Sequence, residues 1–407
     1  MKSVIIIDEY LSSKTNGVGT YVRLLLRCMK NKAIEINLIS YNAPCGKFLF
    51  FDKNGIRNYY FPMNINAGYF LKSGELSFSI LSLYLPDSAN NVFFVNHSPS
   101  AQFLSALRLF YKKSKIVYTI HDQIWTSALW GNKLNLLEIL SSKTKKRSKT
   151  VQFIKYYFRE EQEIYKNADF IICLTRSTFD LVQNTYNIPV EKIRLIPNGV
   201  EIKKTTYSQQ KRDTLRCSMG IRKEDTVLLF VGRPTSVKGF NVLIEAVNSV
   251  YKHHSSIRLI VAGDFYNTTN IDYLPIEVCA RIIFVGHVSK SNLEMLYKIS
   301  DIGVIPSYTE QCSFVALEMM VSKLLVLTSN GYGLSDMFQN NINAFIAPIS
   351  PAQNGAFKTN LTNTILRIIN SPKCLRDKIR NNAFQYVCKY HDINRMKDNY
   401  QQFVINM

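Results

Sequence analysis

VLLFVGRPTSVKGFNVLIEAV, residues 227–247, is the stretch that sets the fold. An apolar run ends at Gly232. A short loop carries Arg233 and Lys238, and a helix-forming pattern begins near Phe240. A strand with no polar face belongs in a parallel sheet covered by helices on both sides. Strand, loop and helix in that order make one half of a βαβ unit.

The same pattern repeats on either side. Downstream lie IRLIVAG (257–263), RIIFVG (281–286), IGVIPS (302–307), LLVLTS (324–329) and AFIAP (344–348), with helical patterns at 240–252 and 291–300. Upstream lie VIIID (4–8), INLIS (36–40), VFFVN (92–96), KIVYTI (115–120), FIICLT (170–175) and IRLIP (193–197), with helical patterns at 20–30 and 176–186. The polar segment from about Val200 to Asp225 separates the two sets and reads as a linker. The expectation is two Rossmann-like, doubly wound α/β domains, 1–200 and 201–374, facing across a cleft. A helical tail, 375–407, would cross back to the first. Open parallel sheets bind ligands at the carboxyl ends of their strands, so the chemistry is expected there.

Composition narrows the function classes. The 407 residues are 46% hydrophobic and 20% charged, which excludes a disordered chain. The net charge is +20, and residues 1–200 carry the larger share, 26 Lys+Arg against 14 Asp+Glu. The densest run is Lys143, Lys145, Lys146, Arg147 and Lys149, followed by Lys155 and Arg159. Such a surface attracts anionic lipid or phosphorylated substrates, although a solvated loop has the same composition. The eight cysteines show no C-x-x-C spacing and no zinc pattern, as expected of reduced thiols in a cytoplasmic protein. The apolar run in MKSVIIIDEY is too short for a signal peptide or a membrane span, so membrane contact would be peripheral, at the inner face.

Four segments carry candidate chemistry. Arg233 and Lys238, between a strand end and a helix start, can clamp a diphosphate: arginine suits bidentate contact and lysine acts as a point charge. In PSYTEQCSFVALEMM (306–320), Glu310 falls in the loop after a strand and Glu318 falls inside the following helix. The amides of Cys312, Ser313 and Phe314 would open at that helix start toward phosphate or sugar oxygens. In KIVYTIHDQIW (115–125), His121 follows a buried strand, where it can hydrogen-bond a sugar hydroxyl or cap the strand end. His97, in VNHSPS, occupies a similar place. In TNGVGTYV (15–22), Gly17 and Gly19 precede the first long helix. The third glycine of the dinucleotide fingerprint is missing, and INLIS does not end in the acid that would hold a nicotinamide-cofactor ribose. Both points weigh against an oxidoreductase.

Taken in order, GVGTY, IHD, LIPNGVE, FVGRPTSVKG, FVGHVSKSNLEMLYKISDIGVIPS, and Glu310 with Glu318 resemble the family four glycosyltransferases of GT-B fold. The resemblance runs through nearly the whole chain and is strongest over 193–350. It implies a retaining, metal-independent transfer of a sugar from a nucleotide-sugar donor to a glycan, lipid-linked or peptide acceptor, with no cofactor. Arg233 and Lys238 would bind the diphosphate, Glu318 the ribose, and Glu310 the transferred sugar near its reacting carbon. Gly286, His287 and Val288 would lie along the base. His121 would contact the sugar, and Gly17 and Gly19 would line the phosphate side. Gln311-Cys312-Ser313-Phe314 replaces the Gly-Phe-Gly-like run usual after that first glutamate, which leaves the donor sugar open. Gly331 and Gly333 suit a ligand-facing loop.

Two other classes fit parts of the pattern. A sugar-nucleotide epimerase on the same fold would need more acid/base residues than His121 and Glu310. A basic nucleic-acid-binding protein would interleave aromatics with cations on one exposed face, whereas the Tyr and Phe residues here sit mostly in apolar or mixed runs, so no nucleic-acid partner is expected.

Overall fold

A computed structural model describes residues 1–13, 16–62, 73–97, 99–141, 148–202, 208–264, 271, 273–350 and 355–407. The chain divides into two compact units. Unit 1 comprises Met1–Leu129, Lys133–Gly199 and Ile393–Met407; unit 2 comprises Trp130–Asn132 and Val200–Asp392.

The sheet of unit 1 contains β1 (Lys2–Glu9), β2 (Ile34–Ala43), β3 (Leu49–Lys53), β4 (Ile56–Pro62), β5 (Asn91–Val95), β6 (Lys115–Ile120), β7 (Phe170–Cys173) and β8 (Ile193–Leu195). Their order is β3-β4-β2-β1-β5-β6-β7-β8. All neighbours are parallel except β3 and β4, which form an antiparallel hairpin. Val4–Ile7 of β1 are at most 2% exposed because helices cover both faces, which is why these strands are apolar throughout. The hairpin was not expected from the sequence. Its strand β3 forms the sheet edge and is largely exposed, while Tyr59 and Phe61 of β4 are buried.

Unit 2 contains β9 (Thr226–Val231), β10 (Ile257–Ala262), β11 (Ile282–Gly286), β12 (Ile302–Ile305), β13 (Leu325–Ser329) and β14 (Phe345–Ala347), all parallel, in the order β11-β10-β9-β12-β13-β14. Its core joins Leu228 and Phe230 of β9 to Phe240, Leu243 and Val247 of the helix Phe240–Tyr251.

Two expectations change. The segment 200–225 is no bare linker: helix Gln209–Ser218 lies within it, fixed by Arg212 and Arg216 reaching Asp301 at 2.6 and 3.2 Å. Its polar sequence hid a helix held by ion pairs rather than by an apolar face. The segment 375–407 is also not one tail. Helix Lys373–Tyr390 belongs to unit 2, and helix Ile393–Ile405 belongs to unit 1. The latter packs on helix Gly17–Cys28, with the Tyr400 hydroxyl 2.5 Å from that of Tyr21 and Gln401 Nε2 donating to Cys28 O at 2.7 Å.

Lys143, Lys145, Lys146 and Arg147 of the basic run lie outside the described residues. Lys149, Lys155 and Arg159 sit on the helix Lys149–Asn167. Among the described residues no helix is long and apolar enough to cross a membrane.

Candidate functional site

In unit 2 the chain lays β9, β10 and β11 outward in one direction, then returns to place β12 against the other side of β9. The loops leaving β9 and β12 therefore part in opposite directions. An open parallel sheet admits a ligand at such a point. Arg233 and Lys238 lie on the loop after β9, and Glu310 lies on the loop after β12.

The two loops are fastened together. Tyr308 N donates to Val237 O at 2.9 Å. Gly239 has φ +71°, and a Cβ there would sit 2.0 Å from Pro306 O, so only glycine permits this approach. Lys238 Nζ consequently meets Glu310 Oε1 at 2.7 Å, and Ser307 Oγ donates to the same oxygen at 2.9 Å. The Glu310 side chain is 15% exposed and that of Lys238 29%. Arg233 is exposed, and its guanidinium makes no ion pair among the described residues. The site thus holds one paired cation and one unpaired cation, both able to receive an anion.

The Glu310 loop is also held from the other side. Its amide donates to Tyr332 O at 2.9 Å. A Cβ at Gly333, φ +80°, would fall 1.9 Å from Glu310 O, and one at Gly331 would fall 2.5 Å from Ser307 O. These glycines were expected to face a ligand. They instead let the loop after β13 press against the backbone carrying Glu310.

Glu318 lies in the helix Phe314–Val321 and accepts from Tyr297 Oη at 2.8 Å. Burial raises its pKa, and the Tyr297 hydrogen bond offsets part of that. Oε2 carries the Tyr297 contact. Ser313 is the N-cap: its Oγ accepts from Ala316 N at 3.3 Å. The amides of Ser313 and Phe314 have no acceptor among the described residues. Cys312 is 5% exposed and Ser313 7%, so their side chains pack inward while the helix start supplies the polar groups. Gly286, φ +66°, ends β11 with open space where a side chain would stand. His287 beyond it is exposed and lies 3.9 Å from Asp264 Oδ1, and Val288 follows it toward the helix Lys290–Ile299.

Unit 1 carries the remaining expected residues. His121 follows β6, with its ring 4.4 Å from Tyr21 in edge contact and its Nε2 buried without a partner among the described residues. Burial, aided by the nearby His97, pushes its pKa down to about 3, so the imidazole is neutral at neutral pH. Gly17 and Gly19 begin the helix Gly17–Cys28, where Asn16 Oδ1 accepts from Gly19 N at 3.1 Å. A Cβ at Gly19 would lie 1.8 Å from Ser13 O, so this glycine meets its own chain, while Gly17 is exposed. The loop bearing His121 and Asp122 is pinned from the helix Lys149–Asn167: Glu161 Oε1 accepts from Ile124 N at 3.0 Å, and its other oxygen accepts from Tyr186 Oη.

Sequence reading missed Ser307, Tyr297 and Glu161. Tyr297 had a signal: the spacing of NLEMLYKI places it on the buried face of its helix, where a hydroxyl needs a partner. Ser307 and Glu161 had none, because their partners come from distant segments.

Two family models match the chain in order. "Glycosyltransferase Family 4" covers residues 15–204, and "Glycosyl transferases group 1" covers 211–386. An uncharacterized glycosyltransferase of Methanocaldococcus jannaschii is 30% identical over 186 residues, 44% of this chain and 47% of that protein. The lipopolysaccharide 1,2-N-acetylglucosaminetransferase of Salmonella typhimurium is 28% identical over 168 residues, 39% of this chain and 44% of that protein. The chain thus spans less than half the length of these curated relatives. Among solved structures, sucrose-phosphate synthase from Thermosynechococcus elongatus superposes with TM-score 0.74 at 17% identity, covering 100% of this chain and 99% of that one. Anabaena HepE in complex with UDP-glucose superposes with TM-score 0.70 at 14% identity, covering 100% of both chains. These likenesses establish the GT-B fold.

Proposed function

The chain belongs to the family four glycosyltransferases, and from that premise we propose that it moves a sugar from a nucleotide-sugar donor held by unit 2 to a glycan or lipid-linked acceptor, with retention and without a metal ion. The observation that carries this reading is the Lys238–Glu310 pair beside the unpaired Arg233 at the switch point of the sheet. Arg233 and Lys238 bind the diphosphate, with the free amides of Ser313 and Phe314 as further donors. Two cations and aligned amides can neutralise a leaving diphosphate directly. Glu318 takes a ribose hydroxyl, and Gly286, His287 and Val288 flank the base. The UDP-glucose complex of HepE supports a UDP-sugar as the first donor to test.

Glu310 faces the transferred sugar. Once Lys238 turns to the diphosphate, the Glu310 carboxylate is released to stabilise the positive charge that develops at the sugar carbon. The acceptor hydroxyl attacks on the face the diphosphate leaves. The C–O bond to phosphate breaks as the new glycosidic bond forms, and the acceptor proton passes to the leaving phosphate oxygen. His121, in unit 1, is available as a neutral imidazole to hydrogen-bond a sugar hydroxyl.

The acceptor side includes a membrane-facing surface. On the helix Lys149–Asn167, Phe153 and Tyr156 are 45% and 60% exposed beside Lys149 and Arg159, a mixture suited to an anionic lipid surface. This mixture supports a peripheral position at the inner face of a membrane.

The test is incubation of the protein with UDP-, GDP-, ADP- and TDP-sugars in EDTA, followed by product analysis. Transfer or slow hydrolysis with the anomeric configuration kept supports the proposal. An epimerised nucleotide sugar with no transfer would replace it with the epimerase reading, and activity only with added divalent cation would remove metal independence.

A further inference from the structure

Unit 1 has a switch point of its own. The chain builds β2 on one side of β1 and later adds β5 on the other, so the carboxyl ends of β1 and β5 flank a second opening. The residues there are Asp8 from β1 and Asn96 and His97 just beyond β5. His97 Nε2 lies 2.9 Å from Asp8 Oδ1 and 3.2 Å from Ser13 Oγ, and Ser13 Oγ donates to the same Asp8 oxygen. With the carboxylate as acceptor, Nε2 carries the proton and Nδ1 is left as an acceptor. Asn96 is 1% exposed; its amide nitrogen donates to Ile7 O and Phe94 O at 3.3 and 3.2 Å, and its Oδ1 is buried with no partner among the described residues. At the end of the next strand, β6, His121 Nε2 is likewise buried with no partner among them.

Leaving a buried polar atom without a partner is costly, and two stand at adjacent strand ends: Asn96 Oδ1, an acceptor, and His121 Nε2. Hydroxyl groups would satisfy both. A phosphate would leave Asn96 Oδ1 unsatisfied, because it brings acceptors only, and it would meet the Asp8 carboxylate. No Lys or Arg among the described residues pairs with Asp8. The opening in unit 2 has the opposite character, with Arg233 and Lys238 at its rim.

We propose that Asp8, His97 and Asn96 form a hydroxyl-recognition site for an uncharged sugar or polyol acceptor, and that this site discriminates against phosphorylated acceptors. It rests on the reading of unit 1 as the acceptor side and narrows that reading to a chemical class. The Asp8 carboxylate fixes the orientation of His97, whose Nδ1 accepts from one acceptor hydroxyl. Asn96 Oδ1 accepts from a second hydroxyl.

The test labels histidine Cε1 with carbon-13 in the full chain, which has six histidines, and assigns His97 by the loss of its signal in His97→Gln. The protein is titrated with methyl glucoside, methyl galactoside and myo-inositol, and then with glucose 6-phosphate and inositol 1-phosphate at equal concentration and ionic strength. The expected result is a saturable shift of the His97 signal with at least one neutral compound, a tenfold or weaker response to its phosphorylated counterpart, and loss of the response in Asp8→Asn, whose folding is verified by its melting temperature. A response to the phosphorylated compounds alone, or to none of the panel, overturns the proposal. UDP binding is measured separately on the same sample. Its absence would defeat the donor reading and leave the His97 result standing.

Discussion

Lys238 Nζ and Glu310 Oε1 stand 2.7 Å apart on loops that leave two adjacent strands, β9 and β12. Each charge is the other's partner. Under the proposed function a diphosphate would compete for Lys238, and its arrival would free Glu310 beside the sugar, so that binding and activation would be linked through one ion pair.

Glu310→Gln therefore separates the two. The variant keeps the side chain's size and loses its charge, so transfer should fall by on the order of a hundred- to a thousandfold, as when one preorganised group facing transition-state charge is removed. UDP binding should be unchanged or tighter, because Lys238 no longer has a competing partner. Calorimetry with UDP beside turnover measurements tests this; parallel loss of both would mean that Glu310 only supports the loop.

Gly333→Ala tests how that loop is held. The new Cβ would stand 1.9 Å from Glu310 O at φ +80°. A strained or displaced loop costs about 1–3 kcal/mol, so the melting temperature should drop and transfer should fall with it. An unchanged melting temperature would show that the contact with the Glu310 backbone is dispensable.

Most of the fold was legible because strands buried on both faces must be apolar throughout, and VLLFV and IRLIVA admit little else. The hairpin β3–β4 was missed although its turn was written plainly. Asn54 and Gly55, with φ +57° and +71°, form the Asn-Gly pair that two-residue hairpins favour. The flanking residues are half-exposed and mixed, so the eye passes over them. In the candidate site, the loop positions of Arg233, Lys238 and Glu310 were legible because each lies between a strand and the helix that follows it. Their supports were not. Ser307, Tyr297 and the packing roles of Gly331 and Gly333 depend on which segments the sheet order makes neighbours, and one segment read alone does not contain that order.

Glu161 makes stability depend on pH in a direction opposite to an ordinary salt-bridged acid. Burial pushes its carboxyl up from 4.5 to about 7, against the opposing hydrogen bonds from Tyr186 and the Ile124 amide, with Asp122 adding to the rise. The folded state then binds the proton more tightly than the unfolded chain. Its contribution is fully present below the unfolded value, declines as pH rises toward about 7, and is gone above that, a change on the order of 1–3 kcal/mol. Glu161→Gln should flatten this dependence: its melting temperature relative to wild type should be higher at about pH 8 than at about pH 5. An identical difference at the two pH values would contradict the assignment.

Phe153 and Tyr156 give the membrane reading a direct check. Replacing both with Ser should reduce cosedimentation with phosphatidylserine vesicles without altering UDP binding, because neither residue belongs to unit 2. Binding that persists undiminished would remove that surface as the contact.

The most direct measurement is calorimetric titration of UDP, in EDTA, into the wild-type protein and into a variant carrying Arg233→Ala and Lys238→Ala. Two charge-assisted contacts of about 1.5–3 kcal/mol each predict that the wild type binds without metal and that the variant binds at least about a hundredfold more weakly, while uridine binds both alike. Equal affinity of UDP for the two proteins would show that the diphosphate is held elsewhere.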